Sequence, residues 1–575
     1  MLLTSAKWGA RSALLAGIAV AVSMAASSAS AQSLKLGVQS LMPPVQSSST
    51  PTIKSYFLNK KPKAPPAPDF ASDTNGRAPV AFGQGSVAIA FEGISLYDTI
   101  SFGRGFIPPD TMGAVGKTQY LEISNGAVAV YDKATGTQTS LVSDVAWWAT
   151  AGQTGAQGDN RVMYNAAADR WIAVGFGANV ADLQIAVSDT SDALGTWQST
   201  KFTGFAGGTA DYPTLALDKN AVYIGTNNFA PSFQGTTLNV IPLNSLFGAG
   251  APTTNGLKQF NTPYNGTTQI TDNGFAIQGV NSSSNSPNGK AIAASLFFED
   301  NVVLDIANAG TPGSTLSAAQ YTNAALYSSP LPGHQPAATN PANRQVLATL
   351  DERISSSVYE VKGRIYYVMS VEDPANPGYT SIRYNVLDAA TNQLLDEGTI
   401  GGGNYDYFQG SLAVNSFGQV VIGFNRSGLQ QTDANNDGLS DGNVSFLART
   451  YYTDANGRLI QSGNELLLKV SLTDDYHNGS FFGQNAAGRQ RWGDYSAVSL
   501  DPTNNGRFWA IGEFAREYNL PQFGHPGGTG RSRWGTYIAA IDFGGAQAVP
   551  EPAAWALMIM GFGLVGSQLR RRRFA

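Results

Sequence analysis

From residue 86 to residue 543 the apolar positions fall in short alternating or continuous runs, broken by Gly, Asn and Asp, and helical periodicity is scarce. Several stretches share one design: an aromatic or polar lead, a hydrophobic strand, a turn with Asn, Asp or Gly, and a second hydrophobic strand. It is seen in "GAVGKTQYLEISNGAVAVYDKATG", "RVMYNAAADRWIAVGF", "DYPTLALDKNAVYIGTNNF" and "SSSVYEVKGRIYYVMSV". It returns in "FQGSLAVNSFGQVVIGFNRSG" and "GDYSAVSLDPTNNGRFWAIGEFA", and more weakly in "FAIQGVNSSSNSPNGKAIAASLFF". The seven units start near Gly113, Arg161, Asp211, Phe275, Ser355, Phe408 and Gly493, with spacings from the high forties to the mid eighties. Each interval is long enough for a four-stranded sheet. The pattern predicts an all-β chain: a β-propeller of about seven blades, with six or eight open. Tandem β-sandwiches would also give short strands with frequent turns and are the alternative.

The two ends break this pattern. Lys7 and Arg11 precede an apolar stretch from Ala13 to Val22, and Ala29-Ser30-Ala31 forms an A-x-A cleavage site before Gln32. Residues 1–31 therefore read as a signal peptide for the Sec export machinery. Residues 32–85 are rich in Ser, Pro, Ala and Lys and hold too little apolar surface to order themselves, which predicts a flexible arm. In the C-terminal segment 546–575, residues 553–569 are uncharged and about the shortest span that crosses a bilayer as a helix. Arg570 to Arg573 follow, a block that stays on the cytoplasmic side. The body between them is expected outside the cytoplasm.

Composition narrows the chemistry. None of the 575 residues is a cysteine, which excludes disulfides, thiol nucleophiles and cysteine metal sites. The net charge of −5 makes nucleic acid an unsuitable partner, because phosphate binding needs a basic surface. The three histidines, His334, His477 and His525, lie in loop-like sequence and are expected to be solvated.

Three local patterns remain. In "TDANNDGLSDGN", Asp433, Asn435, Asp437 and Asp441 place oxygens at calcium-loop positions, Leu439 would add a carbonyl, and Gly438 gives the tight turn. Val444 stands where an EF-hand has its bidentate Glu, so the stretch resembles the calcium loops of dockerins and thrombospondin-type repeats more closely. The implied Ca2+ would be structural. An Asx-rich turn accounts for the same residues. The second pattern is R-x-R-W-G-x-Y, present at 489–495 and again at 531–537. It either seats Trp492 and Trp534 at equivalent strand starts, or lets Arg491, Tyr495, Arg533 and Tyr537 clamp an anionic or sugar ligand. Thirdly, Glu513 shares a strand face with Trp509 and Ile511, as a raised-pKa acid or an arginine's partner, and could pair with Asp494 for glycoside chemistry.

The last 26 residues resemble a PEP-CTERM sorting signal: Pro550-Glu551-Pro552, then Trp555, the apolar span and the arginine block. The resemblance implies a Gram-negative host, recognition by the membrane transpeptidase exosortase, and a helix that anchors the chain in the inner membrane until it is removed. The product would then sit at the cell surface or in the extracellular matrix. "SDTSDALGTWQS", with Asp192, Gly195, Thr196 and Trp197, partly resembles the Asp-box turn of sialidase-type propellers, with its Gly one place late. "PPDTMGAVG", "DYPTLALD" and "RWGDYSAVSLDP" are similar to large secreted bacterial proteins with sialidase-like propeller repeats. Because no catalytic constellation rises above background, the favoured reading is a non-catalytic propeller that binds exopolysaccharide or a surface protein. A secreted glycoside hydrolase or lyase is the alternative, and a sialidase's arginine triad and Tyr–Glu pair have no counterparts here.

Overall fold

Runs such as "AVYIGTNNF" and "QVVIGFNRSG" mix apolar residues with a few polar ones and are buried at almost every position, as strands covered on both faces are. Turn chemistry then sets their length. Between Val358–Val361 and Arg364–Glu372 the hairpin has only Lys362 and Gly363, at φ 52° and 73°, the two left-handed positions of a type I′ turn. The computed structural model describes residues 84–103, 105–155, 158–263, 272–296, 298–336, 345–473, 476, 490–519 and 531–543. The signal peptide, all but the last residues of the arm, the sorting segment with its 553–569 span, His477 and His525 lie outside the described residues.

Within them the strands form seven successive antiparallel meanders, at 112–143, 161–203, 209–263, 275–321, 358–400, 405–470 and 497–543. Their first strands begin at Met112, Arg161, Thr209, Phe275, Val358, Tyr405 and Ala497, close to the starts read from sequence. The fourth and fifth are joined where Val280–Ser282 pairs in parallel with Val358–Glu360. Three short helices, Leu96–Ser101, Asp144–Thr150 and Leu243–Phe247, decorate the described chain. No helix among the described residues is long and apolar enough to cross a membrane.

Successive meanders pack on one another through shared apolar clusters. Ile172 and Val174 of the second meander interdigitate with Val222 and Ile224 of the third, and Val368 and Ile382 of the fifth with Leu412 and Ile422 of the sixth. Met112–Val115 in the first meander touches Arg161–Asn165 in the second and Ala497–Leu500 in the seventh. The seventh sheet is completed from the other end of the chain. Gly85–Ser95, which no repeat in the sequence announced, pairs with Arg531–Phe543 from Gly85↔Phe543 to Ser95↔Gly535.

One buried carboxylate fastens that closure. Glu122 accepts from the Ile94 N–H (3.1 Å), the Tyr131 hydroxyl (2.8 Å), the Thr536 hydroxyl (2.6 Å) and the Ser124 hydroxyl (3.3 Å). Gly93 is required beside it, because a Cβ there would overlap the Glu122 carboxylate and the Thr536 hydroxyl. Burial pushes the Glu122 carboxyl up to about 7, against the pull of its four donors.

Candidate functional site

Several buried charged side chains gather near the starts of the meanders. An aspartate lies within the first strand or up to seven residues before it in five of the seven meanders: Asp110, Asp159, Asp211, Asp351 and Asp494. The backbone there repeats as well. Asp110, Asp159, Tyr212, Ala276 and Gln409 all have φ between 47° and 54°. Aspartate tolerates the left-handed region, but Tyr, Ala and Gln seldom adopt it, so the strained turn is held by the structure around it.

Three arginines thread these carboxylates. Arg353 makes a bidentate pair with Asp351, Nε to Oδ1 at 2.7 Å and Nη2 to Oδ2 at 3.0 Å, and its Nη1 lies 3.8 Å from Asp494. Arg491 donates to Asp494 at 2.6 Å. Arg161 donates from Nε to the Pro213 carbonyl at 3.1 Å and lies 3.4 Å over the Tyr495 ring. Asp110 accepts from Asn125 at 2.8 Å and from the Asp494 N–H at 2.9 Å, which ties the first meander to the seventh. Gln409 donates to the Tyr495 carbonyl at 3.1 Å and to Glu513 at 3.2 Å, bringing in the sixth.

Negative charge outweighs positive in this hub, and burial sharpens the imbalance. Burial raises the Asp159 carboxyl to about 8, with Asp211 and Asp494 adding to the shift. It raises Asp211 to about 7 against the opposing pull of Arg353. Asp110 and Glu513 are pushed well above the carboxylate range, first by burial and then by neighbouring acids. The cavity bounded by Asp351, Arg353, Gln409 and Gly493 measures about 10 Å3, the room of one water. Asp159 and Arg491 are only half-buried and mark the edge of the hub.

Of the ligand-binding candidates, Arg491 and Tyr495 meet here, and Glu513 stands beside them with its Trp509 and Ile511 strand face fully buried. Gln409, not an arginine, is the donor to Glu513. Arg533 and Tyr537 lie elsewhere. Arg533 packs near Tyr97, its pKa lowered to about 10 by burial, while Lys469 sits 5.1 Å over the Tyr537 ring. The repeated motif seats two sealed tryptophans, Trp492 donating to Asn425 at 3.2 Å and Trp534 to the Phe106 carbonyl at 2.8 Å.

In the 433–441 loop, Asp433 accepts from the N–H groups of Asp437 (3.0 Å) and Gly438 (2.9 Å), and Asp437 from that of Leu439 (2.9 Å). Asn435 donates to Asp437, and Asp441 accepts from Thr432 at 2.6 Å. Among the described residues no group of three acidic or histidine side chains is arranged around a metal-sized space. Asp192 accepts from the Leu194 N–H in the turn before Trp197, whose ring stands edge-on to Trp147. His334 corrects the expectation of a solvated loop histidine: its side chain is 13% exposed, its Nδ1 is 2.8 Å from Asp406, and it packs on Tyr379.

Residues 548–573 match the PEP-CTERM protein-sorting motif, which marks an exported chain with a C-terminal anchoring signal processed by exosortase. No curated protein matches the sequence. Solved structures with similarity include the Dos1 propeller, at 10% identity and TM-score 0.32, covering 80% of this chain and 98% of that one. A polysaccharide lyase of family PL25, an ulvan lyase, aligns at 9% identity and TM-score 0.35 over 75% of this chain and 92% of its own. Hydrazine synthase of Kuenenia stuttgartiensis aligns at 9% and 0.29, over 70% and 74%.

Proposed function

We propose that this is a cell-surface or matrix protein whose body is a closed, seven-bladed β-propeller and acts as a binding module for exopolysaccharide or a surface partner. The observation that carries the reading is the state of its best acid–base pair. Glu513 is fully buried and held by Gln409, and Asp494 is ion-paired to Arg491, next to a space for one water. A glycosidase needs both carboxyl groups at a sugar. One feature favours a secreted hydrolase or lyase instead: Asp159 is half-buried, and its raised carboxyl would keep a proton at neutral pH. Incubating the exported protein with the host's exopolysaccharide separates the two. Co-sedimentation without new reducing or unsaturated ends supports the module. End formation that is lost in Asp159→Asn or Glu513→Gln overturns it.

In this reading the apolar helix is a temporary anchor, and Pro550, Glu551, Pro552 and Trp555 are what exosortase reads. Glu551→Ala leaves the hydrophobic span and the arginine block intact, so insertion physics is unchanged. The variant is expected full-length in the inner membrane, while the wild type appears outside without the arginine block. Fractionation with an antibody to the body checks this. The 433–441 loop is proposed as a structural calcium site.

A further inference from the structure

Between the fourth and fifth meanders an open groove of about 520 Å3 has no part in the hub. Glu299, Glu372, Asp373 and Glu397 line it, with Arg383 the cation among them. Arg383 is already engaged, donating to Glu397 and to the Ala325 carbonyl. The groove is therefore strongly negative. One wall is apolar: Tyr327 is buried there, and Leu326 beside it is 73% exposed. An apolar wall facing several carboxylates suits a segment that presents aromatic or aliphatic side chains followed by closely spaced cations.

The chain contains such a segment. Residues 56–66 read Tyr-Phe-Leu-Asn-Lys-Lys-Pro-Lys-Ala-Pro-Pro, an apolar triplet followed by Lys60, Lys61 and Lys63 among prolines. The acidic excess of the protein lies in its body, whereas this stretch is basic. Its tether also ends nearby. Gln84 packs against Gly463 in the sixth meander, and Leu459 there donates to Asp396, the neighbour of Glu397, in the fifth. Residues 67–83 span up to about 50 Å when extended as a proline-rich chain. That covers one meander's width with slack, and tethering of this kind raises the local concentration to the order of millimolar.

We propose that residues 56–66 dock in this groove, with Tyr56-Phe57-Leu58 on the Leu326 wall and the lysines on the carboxylates. The inference is independent of what the body binds and of how the chain is sorted. The test uses the mature, full-length protein. Hydrogen exchange in 56–66 should be slowed about tenfold or more at low salt, the scale of a locally ordered segment, and should speed up at high salt. Glu299→Lys with Glu372→Lys should remove the protection, and adding Lys60→Glu, Lys61→Glu and Lys63→Glu should restore it. Zero-length carbodiimide coupling should join those lysines to Glu299, Glu372, Asp373 or Glu397 within one copy. Unprotected exchange in the wild type, or coupling to acids outside the groove, overturns the proposal. So does coupling between differently labelled copies, which would make the occupant a second molecule.

Discussion

Asp351 and Asp433 both accept hydrogen bonds from residues close by in sequence, yet they live in opposite settings. Asp351 is 3% exposed and takes a two-pronged guanidinium from Arg353, whose third nitrogen faces Asp494 on another sheet. Asp433 is exposed and takes two N–H groups of its own loop. The same side chain is a tertiary fastener in one place and a turn former in the other. Spacing along the chain points to the loop; only burial reveals the hub.

The sharpest way to break that contrast is to truncate both residues. Asp351→Ala strands Arg353 in the interior and should cost about 3–5 kcal/mol, the range for a buried pair that loses one partner. Asp433→Ala should stay within about 0.5 kcal/mol, as exposed substitutions do. Urea unfolding of the two variants measures the gap, and equal costs would erase the distinction.

A second test is the pH dependence of stability. The raised carboxyls of Asp211 (about 7) and Asp159 (about 8) mean that the folded hub holds protons which the unfolded chain releases near the ordinary carboxylate range. Between those limits the native state binds more protons, so raising the pH favours unfolding. The contribution is present in acid and is lost as pH climbs through 7 to 8. Melting temperature should decline from about pH 4 up to about 8 and level off above it, and Asp211→Asn with Asp159→Asn should flatten the decline. Glu122, raised to about 7, adds to the same slope from the closing sheet.

The smallest effect belongs to the loop. If it takes calcium, the ion stabilises the folded state by mass action and raises the melting temperature modestly. Asp437→Ala should abolish that rise and change little in chelator. Identical melting with calcium and with chelator leaves a plain Asx turn.

Much of the fold was legible because strand runs and turn residues are local signals. The first strands of the meanders begin within a few residues of the predicted starts, and both tryptophans of the repeated motif are buried, though Trp534 lies inside a strand and Trp492 in the segment before one. The closing strand Gly85–Ser95 escaped notice because its partner lies more than four hundred residues away and it has no sister strands in sequence. The hub escaped for a related reason. Arg161 to the Ser355 carbonyl, and Asp494 to Asp110, are contacts between distant segments that no window shows. A trace was nevertheless present in "PPDTMGAV", "GDNRV", "ADYPTL", "LDERIS" and "WGDYSAV", each with an aspartate just before or within the first turn of its unit. The arginine clamp failed as a set because its two copies sit on different sides of the seventh sheet's packing, Arg491 inward and Arg533 beside Tyr97.

The pairing of Gly85 with Phe543 also has a mechanical meaning. The polypeptide leading into the body and the polypeptide leaving it emerge side by side, at the same end of one antiparallel ladder. A pull on the tail alone, as when the chain hangs from a membrane, sends no tension through the rest of the body unless the leading segment is held too. When both are held and drawn apart, the force falls on one pair of rungs at a time, the unzipping direction in which a ladder resists least. The molecule would then open at its seam, releasing Gly85–Ser95 first and leaving the six meanders between residues 112 and 470 intact.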